Sequence, residues 1–413
     1  VSEPLIITNA RLVTLVMGPR PRRGDDMGEL SVVPSADLLL EKGKVVSIMP
    51  APSALRDMAR PGTRVIDACG RVVMPGLIDC HTHACWAGSR VDEWDKKLGG
   101  ATYLEILRSG GGIMSTVRAV REASQKDLAE LLLERLFRMV GFGATTIEVK
   151  SGYGLSTHDE LKMLHAIRDA ADRFPGTVVP TALLGHAIDP DVPREQFLKT
   201  VIQETLPAIS AEFHGIAIDA YCEKEAWSPG ECMELFEAAA AREHPCRVHA
   251  DQFNALGMTS TAITRGFVSV DHLEASTPAQ IEQLGRSGTV GVVLPVSGFH
   301  LDNRYADAKS IIAKGGAVAI ASNSNPGSAP TCSLPFAMGV GVRRCGLSPA
   351  QAIVGATVNA AHVLHTIDRG TIAPGARADL LILRGKDERE LVYDVADNPV
   401  ACVIVAGRVL RGG

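Results

Sequence analysis

A (β/α)8 barrel with a small β-sandwich domain beside it is the fold class this sequence predicts, on three observations. Between residue 77 and about residue 365, short apolar strand candidates alternate eight times with amphipathic helical stretches, the pattern of parallel strands joined by crossover helices. Short strands without such helices precede that region and follow it. The chain has 413 residues, and barrels of about 250 residues or more routinely fold as one unit, so a barrel and a satellite domain both fit.

Taken in order, residues 5–15 alternate like a strand, and a polar, Pro/Gly-rich loop follows at 18–34. Residues 36–41 and 44–48 read as a hairpin around Lys42-Gly43, with a further strand at 64–67. Barrel strands are expected at 77–81, 145–149, 177–184, 217–222, 246–250, 268–272, 289–295 and 317–322. The clearest helix spans 125–140: Ser124 stands at the N-cap and Asp127 at the box position, while Leu128, Leu131, Leu132, Leu136 and Met139 recur at helical spacing and form core. A helix over 158–173 carries His158 and His165, read as surface or packing residues. Strands return at 378–383 and 400–410. The early and late β pieces are expected to combine, giving limits of 1–72 and 367–413 for the β domain and 73–366 for the barrel.

Bulk properties exclude several classes. Net charge is −5 and the sequence pI about 6.2, so no basic field invites nucleic acid. No apolar run approaches the roughly 18 residues that span a bilayer, and the segment Val1-Ser2-Glu3-Pro4-Leu5 lacks the basic start of a signal peptide. Nine cysteines without regular spacing read as reduced thiols in a cytoplasmic protein.

The chemistry gathers where such barrels place it, at the C-terminal ends of the strands. On extended backbone, residues i and i+2 point the same way. His81 and His83, ending the first barrel strand, can therefore offer two imidazoles to one divalent ion, zinc or iron. The second strand ends Glu148-Val149-Lys150-Ser151-Gly152-Tyr153-Gly154, and the third at His186. The fourth ends Asp219-Ala220-Tyr221-Cys222-Glu223, and the fifth at His249, followed by Asp251 and Gln252. The sixth ends Asp271-His272-Leu273-Glu274, and the eighth runs from Ser322 through Asn323 to Gly327. Any one of these histidines has a plain structural reading. Five of the chain's twelve on one rim point instead to a metal-dependent hydrolase.

This arrangement resembles the amidohydrolase superfamily, and within it the imidazolonepropionases. The stretches that carry the resemblance are Asp79 to His83, Gly88-Ser89-Arg90, Tyr103 to Ile106, Gly110 to Ile113, Glu148 to Gly154, Glu160 to Leu164, His249 to Asp251, Ser269 to His272 and Asn325 to Ser328. The resemblance implies that His81, His83 and His249 hold a single zinc or iron ion. It implies that Arg90, Tyr103 and Tyr153 surround a propionate-bearing ring, with Asn325, Gly327 and Ser328 beside them. It places His186 and His272 toward the reacting carbon, with Gln252 near the chemistry. A planar guanidinium matches a carboxylate bidentately, which suits Arg90. Lys150 leaves the second strand, which does not fit a lysine-bridged metal pair, so a mononuclear site is expected. A homodimer and a small carboxylate substrate are implied as well.

The chain also departs from that pattern. Asn323 stands where the family carries an aspartate that touches the metal and takes the proton of the attacking water. An amide can offer its oxygen but has no useful proton affinity near neutral pH. Leu294 to His300 replaces a glycine- and tyrosine-rich loop, and Cys85-Trp86 replaces aliphatic and phenylalanine residues. Three readings follow. The first is hydrolysis of a C–N bond in a propionate-bearing imidazolone-type ring. The second is desulfhydration, in which the C=S of a thio-oxo-imidazolidine propionate is hydrolysed to the hydantoin and hydrogen sulfide, with His272 as base. The third is a non-catalytic binding protein that has lost its base.

Overall fold

The computed structural model describes residues 3–55, 57, 59, 61–100, 111–395 and 397–412. Its centre is a sheet of eight parallel strands: β6 (Leu77–Asp79), β7 (Ala144–Lys150), β8 (Thr177–Gly185), β9 (Ala217–Cys222), β10 (Arg247–Ala250), β11 (Ser269–His272), β12 (Val290–Val293) and β13 (Ala317–Ile320). They pair in sequence order from β6 to β13. All eight expected barrel strands are present. β7, β10, β11, β12 and β13 are buried along their whole length, as expected of strands covered on one face by helices and on the other by the barrel interior.

The seam between first and last strand closes just beyond their ends. Asn323 N–H donates to the His81 carbonyl (3.1 Å), and His83 N–H to the Ser324 carbonyl (2.9 Å). Closure of the barrel thus fixes the position of Asn323 against the paired histidines.

The outer helices follow the expected periodicity. The helix Gln125–Gly141 buries Leu128, Leu132, Leu136 and Met139. Ser124 accepts from Asp127 N–H (3.1 Å), but the Asp127 carboxylate takes the Ser124 hydroxyl (2.7 Å); aspartate is one methylene shorter than the glutamate of a reciprocal box. His158 is exposed, and His165 pairs with Glu212 at 2.7 Å on the surface.

The remaining strands form the second sheet: β1 (Leu5–Val13), β2 (Val32–Glu41), β3 (Lys44–Pro50), β4 (Arg64–Asp67), β5 (Val72–Pro75), β14 (Leu380–Leu383), β15 (Val400–Val405) and β16 (Arg408–Arg411). The early and late pieces do combine, through antiparallel pairing of β5 with β14. They share a core of their own that includes Ile7, Leu12, Leu38, Leu40, Leu380 and Ile404. The sandwich-like layers are hydrogen-bonded as one continuous sheet. Membership changes from this sheet to the barrel between Pro75 and Leu77, where Gly76 lies so close to Thr145 that a Cβ would sit 2.2 Å from its hydroxyl oxygen. The strand expected at 400–410 is a hairpin. Ala406 and Gly407 turn with φ of +46° and +73°, a left-handed pair whose Ala-Gly sequence is a weaker turn signal than Asn-Gly.

Candidate metal centre

β6 runs directly into the extended, fully buried segment Cys80 to His83, so His81 and His83 do project together. His83 Nε2 lies 3.3 Å from His81 Nε2 and 3.3 Å from His249 Nε2. His249 comes from β10, four strands further round. These three are the residues among those described whose ligand atoms cluster tightly enough to share an ion. A separation of this size is the edge of a tetrahedron whose vertices lie about 2.0 Å from its centre, the usual metal–imidazole distance. The donor set therefore fits one divalent ion.

The imidazoles are prepared for that role. His81 Nδ1 meets Asp271 Oδ2 at 2.6 Å, and His249 Nδ1 meets Asp219 Oδ1 at 3.0 Å. A carboxylate only accepts, so each Nδ1 carries the proton and each Nε2 keeps its lone pair. Burial holds His81 and His83 well below the ordinary histidine range, reinforced by Lys150 beside His81 and by His186 beside His83. His249 is also lowered by burial, against the pull of Asp219. Neutral imidazole is the ligating form.

Beneath the histidines runs a buried ladder of alternating charge. Asp271 pairs with Arg247 (2.6 Å), Arg247 with Glu148 (3.0 Å), Glu148 with Lys150 (2.5 Å) and Lys150 with Asp219 (2.8 Å). Its two ends are the carboxylates that hold His81 and His249. Burial alone would push the Asp219 carboxyl up, but His249 and Lys150 hold it well below the usual range. Lys150 is committed to two ion pairs within the ladder, in keeping with the expected mononuclear site.

Around the cluster stand the other rim residues. His186 stacks on His83 with ring centres 5.0 Å apart, and its Nδ1–H donates to the Gly152 carbonyl (2.9 Å). Burial, with His249 nearby, pushes its pKa down to about 3. Tyr153 lies 5.0 Å from the His186 ring and 6.1 Å from that of His83. Its loop is held by Glu160, which accepts backbone N–H bonds from Gly152, Gly154 and Leu155 at 2.7–2.9 Å. Burial pushes the Tyr153 phenol up, opposed by Arg90. Arg90 pairs with Glu93 at 2.6 Å and faces Thr116, leaving its Nε buried without a partner among the described residues. A Cβ on Gly327 would come 3.1 Å from Arg90 Nη1, which places the guanidinium against the loop after β13. Tyr103 lies outside the described residues.

In that loop the Asn325 side chain is engaged locally. Its Oδ1 accepts from the N–H groups of Gly327 (2.9 Å) and Ser328 (2.7 Å), and its Nδ2 donates to the Asn323 carbonyl (2.6 Å). Asn323 is buried and left-handed (φ +54°), a conformation asparagine tolerates better than most residues. Its Nδ2 donates to Ser297 Oγ at 2.7 Å, while its Oδ1 is buried without a partner among the described residues. Two departures from the family pattern, Asn323 and the 294–300 segment, thus contact one another. Gln252 borders a small cleft with Glu274 and Ser297; its loop is pinned by Glu223, which accepts from the N–H groups of Phe253 and Asn254. The third departure is packing: Arg135 lies 3.5 Å over the Trp86 ring and donates to the Ala84 and Trp86 carbonyls.

Sequence reasoning assigned no role to Asp219, Asp271, Glu274 or Ser297. The first three end or follow barrel strands, and that position was the available signal. Ser297 sits on the short helix Pro295–His300, and nothing in its own sequence neighbourhood marks it.

Residues 72–410 match the model of the amidohydrolase family. The chain is 44% identical to an imidazolonepropionase of Deinococcus radiodurans over 392 residues, covering 95% of this chain and 96% of that one. It is 41% identical to one of Symbiobacterium thermophilum, covering 98% and 96%. Among solved structures, a triazine hydrolase variant aligns with a TM-score of 0.74 at 18% identity, covering 100% of this chain and 95% of that one. The 5-methylcytosine deaminase of Klebsiella pneumoniae, liganded with 5-fluorocytosine, has the same score and identity, covering 99% and 97%. With a barrel of this architecture and near full-length identity of this order, the chain belongs to the amidohydrolase family as an imidazolonepropionase-like member.

Proposed function

We propose that this chain is a metal-dependent hydrolase that opens a propionate-bearing five-membered imidazolone-type ring. The observation that carries the reading is His83 Nε2 lying at a tetrahedral edge length from both His81 Nε2 and His249 Nε2, on a chain matching imidazolonepropionases over nearly all of its length. In this reading His81, His83 and His249 hold one zinc or iron ion, and Asn323 Oδ1 supplies a neutral oxygen beside it. Such an ion activates water near neutral pH and polarises the group under attack.

Arg90 clamps the substrate carboxylate, exchanging its pairing with Glu93 for a bidentate one. Tyr153 and, by the family resemblance, Tyr103 surround the propionate and ring. The neutral His186 offers Nε2 on the side of His83, and Gln252 presents its amide to the ring edge. Asn325, Gly327 and Ser328 act through the turn that seats Arg90 and Asn323. His272 takes the proton from the attacking water. All nine cysteines are free thiols, which supports a reducing, cytoplasmic setting; a homodimer completes the proposal.

A second reading is favoured by Asn323. Expelling a ring nitrogen requires its protonation, and the amide cannot shuttle that proton. A thiono analogue asks less, because hydrosulfide leaves without a strong acid. Hydrolysis of the C=S of a thio-oxo-imidazolidine propionate would use the same clamp and the same base. The test is a side-by-side turnover screen of imidazolone, hydantoin and thiohydantoin propionates, following ring opening and sulfide release, with metal analysis of the same sample. Turnover of the imidazolone alone supports the first reading and sulfide release alone the second. Tight, unreactive binding without metal would leave a binding protein.

A further inference from the structure

A buried carboxylate behind His272 has no part in the scheme above. β11 ends on two successive left-handed residues, His272 (φ +90°) and Leu273 (φ +75°), a conformation costly for side chains of this size. The neighbouring strand enforces it. Leu273 N–H donates to the Ala250 carbonyl (3.2 Å) and Ala275 N–H to the Asp251 carbonyl (2.6 Å). Asp251 is itself held by the Thr259 (2.7 Å) and Ser276 (2.8 Å) hydroxyls. The result of this double turn is that Glu274 folds back under His272. Its Oε1 and Oε2 lie 3.0 and 3.2 Å from His272 Nδ1, with both side chains about 95% buried (4% and 5% exposed).

The opposite edge of the ring is placed for chemistry. His272 stands 5.6 Å from the His249 ring and 6.1 Å from that of His81. No hydrogen bond engages its Nε2 among the described residues, whereas Nδ1 is fully engaged. Strained backbone that brings an acid beneath a histidine, next to a metal-type cluster, follows the logic of nucleophile–base–orienter arrangements.

We propose that Glu274 is a positioning residue that fixes His272 with the proton on Nδ1 and the Nε2 lone pair facing the reaction space. The inference rests on the reading of His272 as the proton acceptor. The water O–H bond breaks, its oxygen bonds to the ring carbon, and the proton goes to Nε2. As the bond from that carbon to the ring nitrogen breaks, the same proton passes to the nitrogen. Where the carbon carries sulfur, it passes to the sulfur, hydrosulfide departs, and the proton left on the added hydroxyl goes to solvent as the carbonyl forms. Asn323 cannot take that proton, so the histidine must be poised without its help.

The test compares metal-loaded Glu274→Ala, Glu274→Gln and His272→Asn with the parent enzyme, and adds nitrogen NMR of histidine-labelled protein. Glu274→Ala should lower kcat about 10- to 100-fold, less than the roughly 10²- to 10⁴-fold that a general base itself contributes, with KM within about twofold and metal content unchanged. Glu274→Gln can still accept from Nδ1–H through its oxygen, and should keep kcat within about fivefold. The NMR should show His272 protonated on Nδ1 in the parent and the Gln variant, and a mixture of tautomers in the Ala variant. If the Ala variant does not fold, the Gln kinetics and the parent tautomer decide. Unchanged kcat in Glu274→Ala, an equal fall in both Glu274 variants, or a parent His272 protonated on Nε2 would each overturn the proposal. Full turnover in His272→Asn would instead remove the parent reading of the base, whatever Glu274 does.

Discussion

Restoring a carboxylate at position 323 is the most informative perturbation of this site. In Asn323→Asp a donor, Nδ2, becomes an acceptor, so the 2.7 Å contact to Ser297 Oγ survives only if the hydroxyl turns to donate. That hydrogen bond returns about 1 kcal/mol. Without metal, the new charge is buried with no cation specified for it, a situation that costs about 3–5 kcal/mol. The apo variant should therefore lose about 2–4 kcal/mol, and its Tm should fall by a few degrees. With metal present the sign reverses. An anionic oxygen beside a divalent ion should tighten binding by about 1.4–3 kcal/mol, or roughly 10- to 100-fold in Kd. Calorimetry of apo and loaded protein, with chelator competition, measures both halves of the cycle. If ring opening is the native reaction, the variant should also gain in kcat on the imidazolone, because a second proton shuttle joins His272; if desulfhydration is native, sulfide release should not rise. Unchanged metal affinity together with unchanged apo stability would show that Asn323 Oδ1 does not face the ion, and the account of this position would fall.

Other expectations follow from the same geometry. Arg90→Ala should raise KM about 10- to 100-fold while changing kcat little, since a charge-assisted bidentate pair is worth about 1.5–3 kcal/mol; a substrate analogue lacking the propionate should be indifferent to the change. Asp219→Asn keeps an acceptor for His249 but removes one rung of the ladder, and chelator competition should report a 10- to 100-fold loss of metal affinity, the usual effect of an outer partner. In a partly exposed pair, Arg194 holds the Glu231 carboxyl down to about 2, against an ordinary value of 4.5. A lowered carboxyl adds stability above its unfolded pKa and loses it as pH falls from about 5 to 2. The pair is partly exposed, so its worth is about 1 kcal/mol. Denaturant unfolding of Glu231→Gln at pH 7 and pH 3 should show that much less pH dependence than the parent.

What the sequence disclosed, and what it hid, follow one division. Contacts set by strand periodicity and by the strand-end rule were legible: His81 and His83 share a side because they are two residues apart on extended chain, and His249, His186 and His272 lie on one rim because each ends a parallel strand. Contacts set by departures from regular backbone were not. Glu274 is two residues beyond His272, yet it reaches Nδ1 through two left-handed residues that no periodicity encodes. Ser297 meets Asn323 across 26 residues of chain, by way of a short helix where the expected strand 289–295 stops early at Val293. The hairpin hidden in 400–410 escaped for the same reason, as left-handed Ala406 carries little local signal.

Charge binds these observations into one argument about the leaving group. The ladder beneath the histidines holds three carboxylates and two cations, leaving one negative charge to set against a divalent ion. All three imidazoles are neutral, and so is Asn323. Relative to a site with aspartate at position 323, this one carries one more positive charge at its centre. A low-dielectric pocket magnifies that difference, and it acts most strongly on whatever species is anionic as the bond breaks. A ring nitrogen departs neutral, after protonation, and gains nothing from the extra charge. Hydrosulfide departs as an anion and gains directly. The same substitution that removes a proton shuttle therefore supplies electrostatic support to the leaving group that departs as an anion, carrying only a proton from the attacking water. The ratio of sulfide release to ring opening should accordingly fall when Asn323 becomes aspartate, and a ratio that rises would contradict this reasoning at its root.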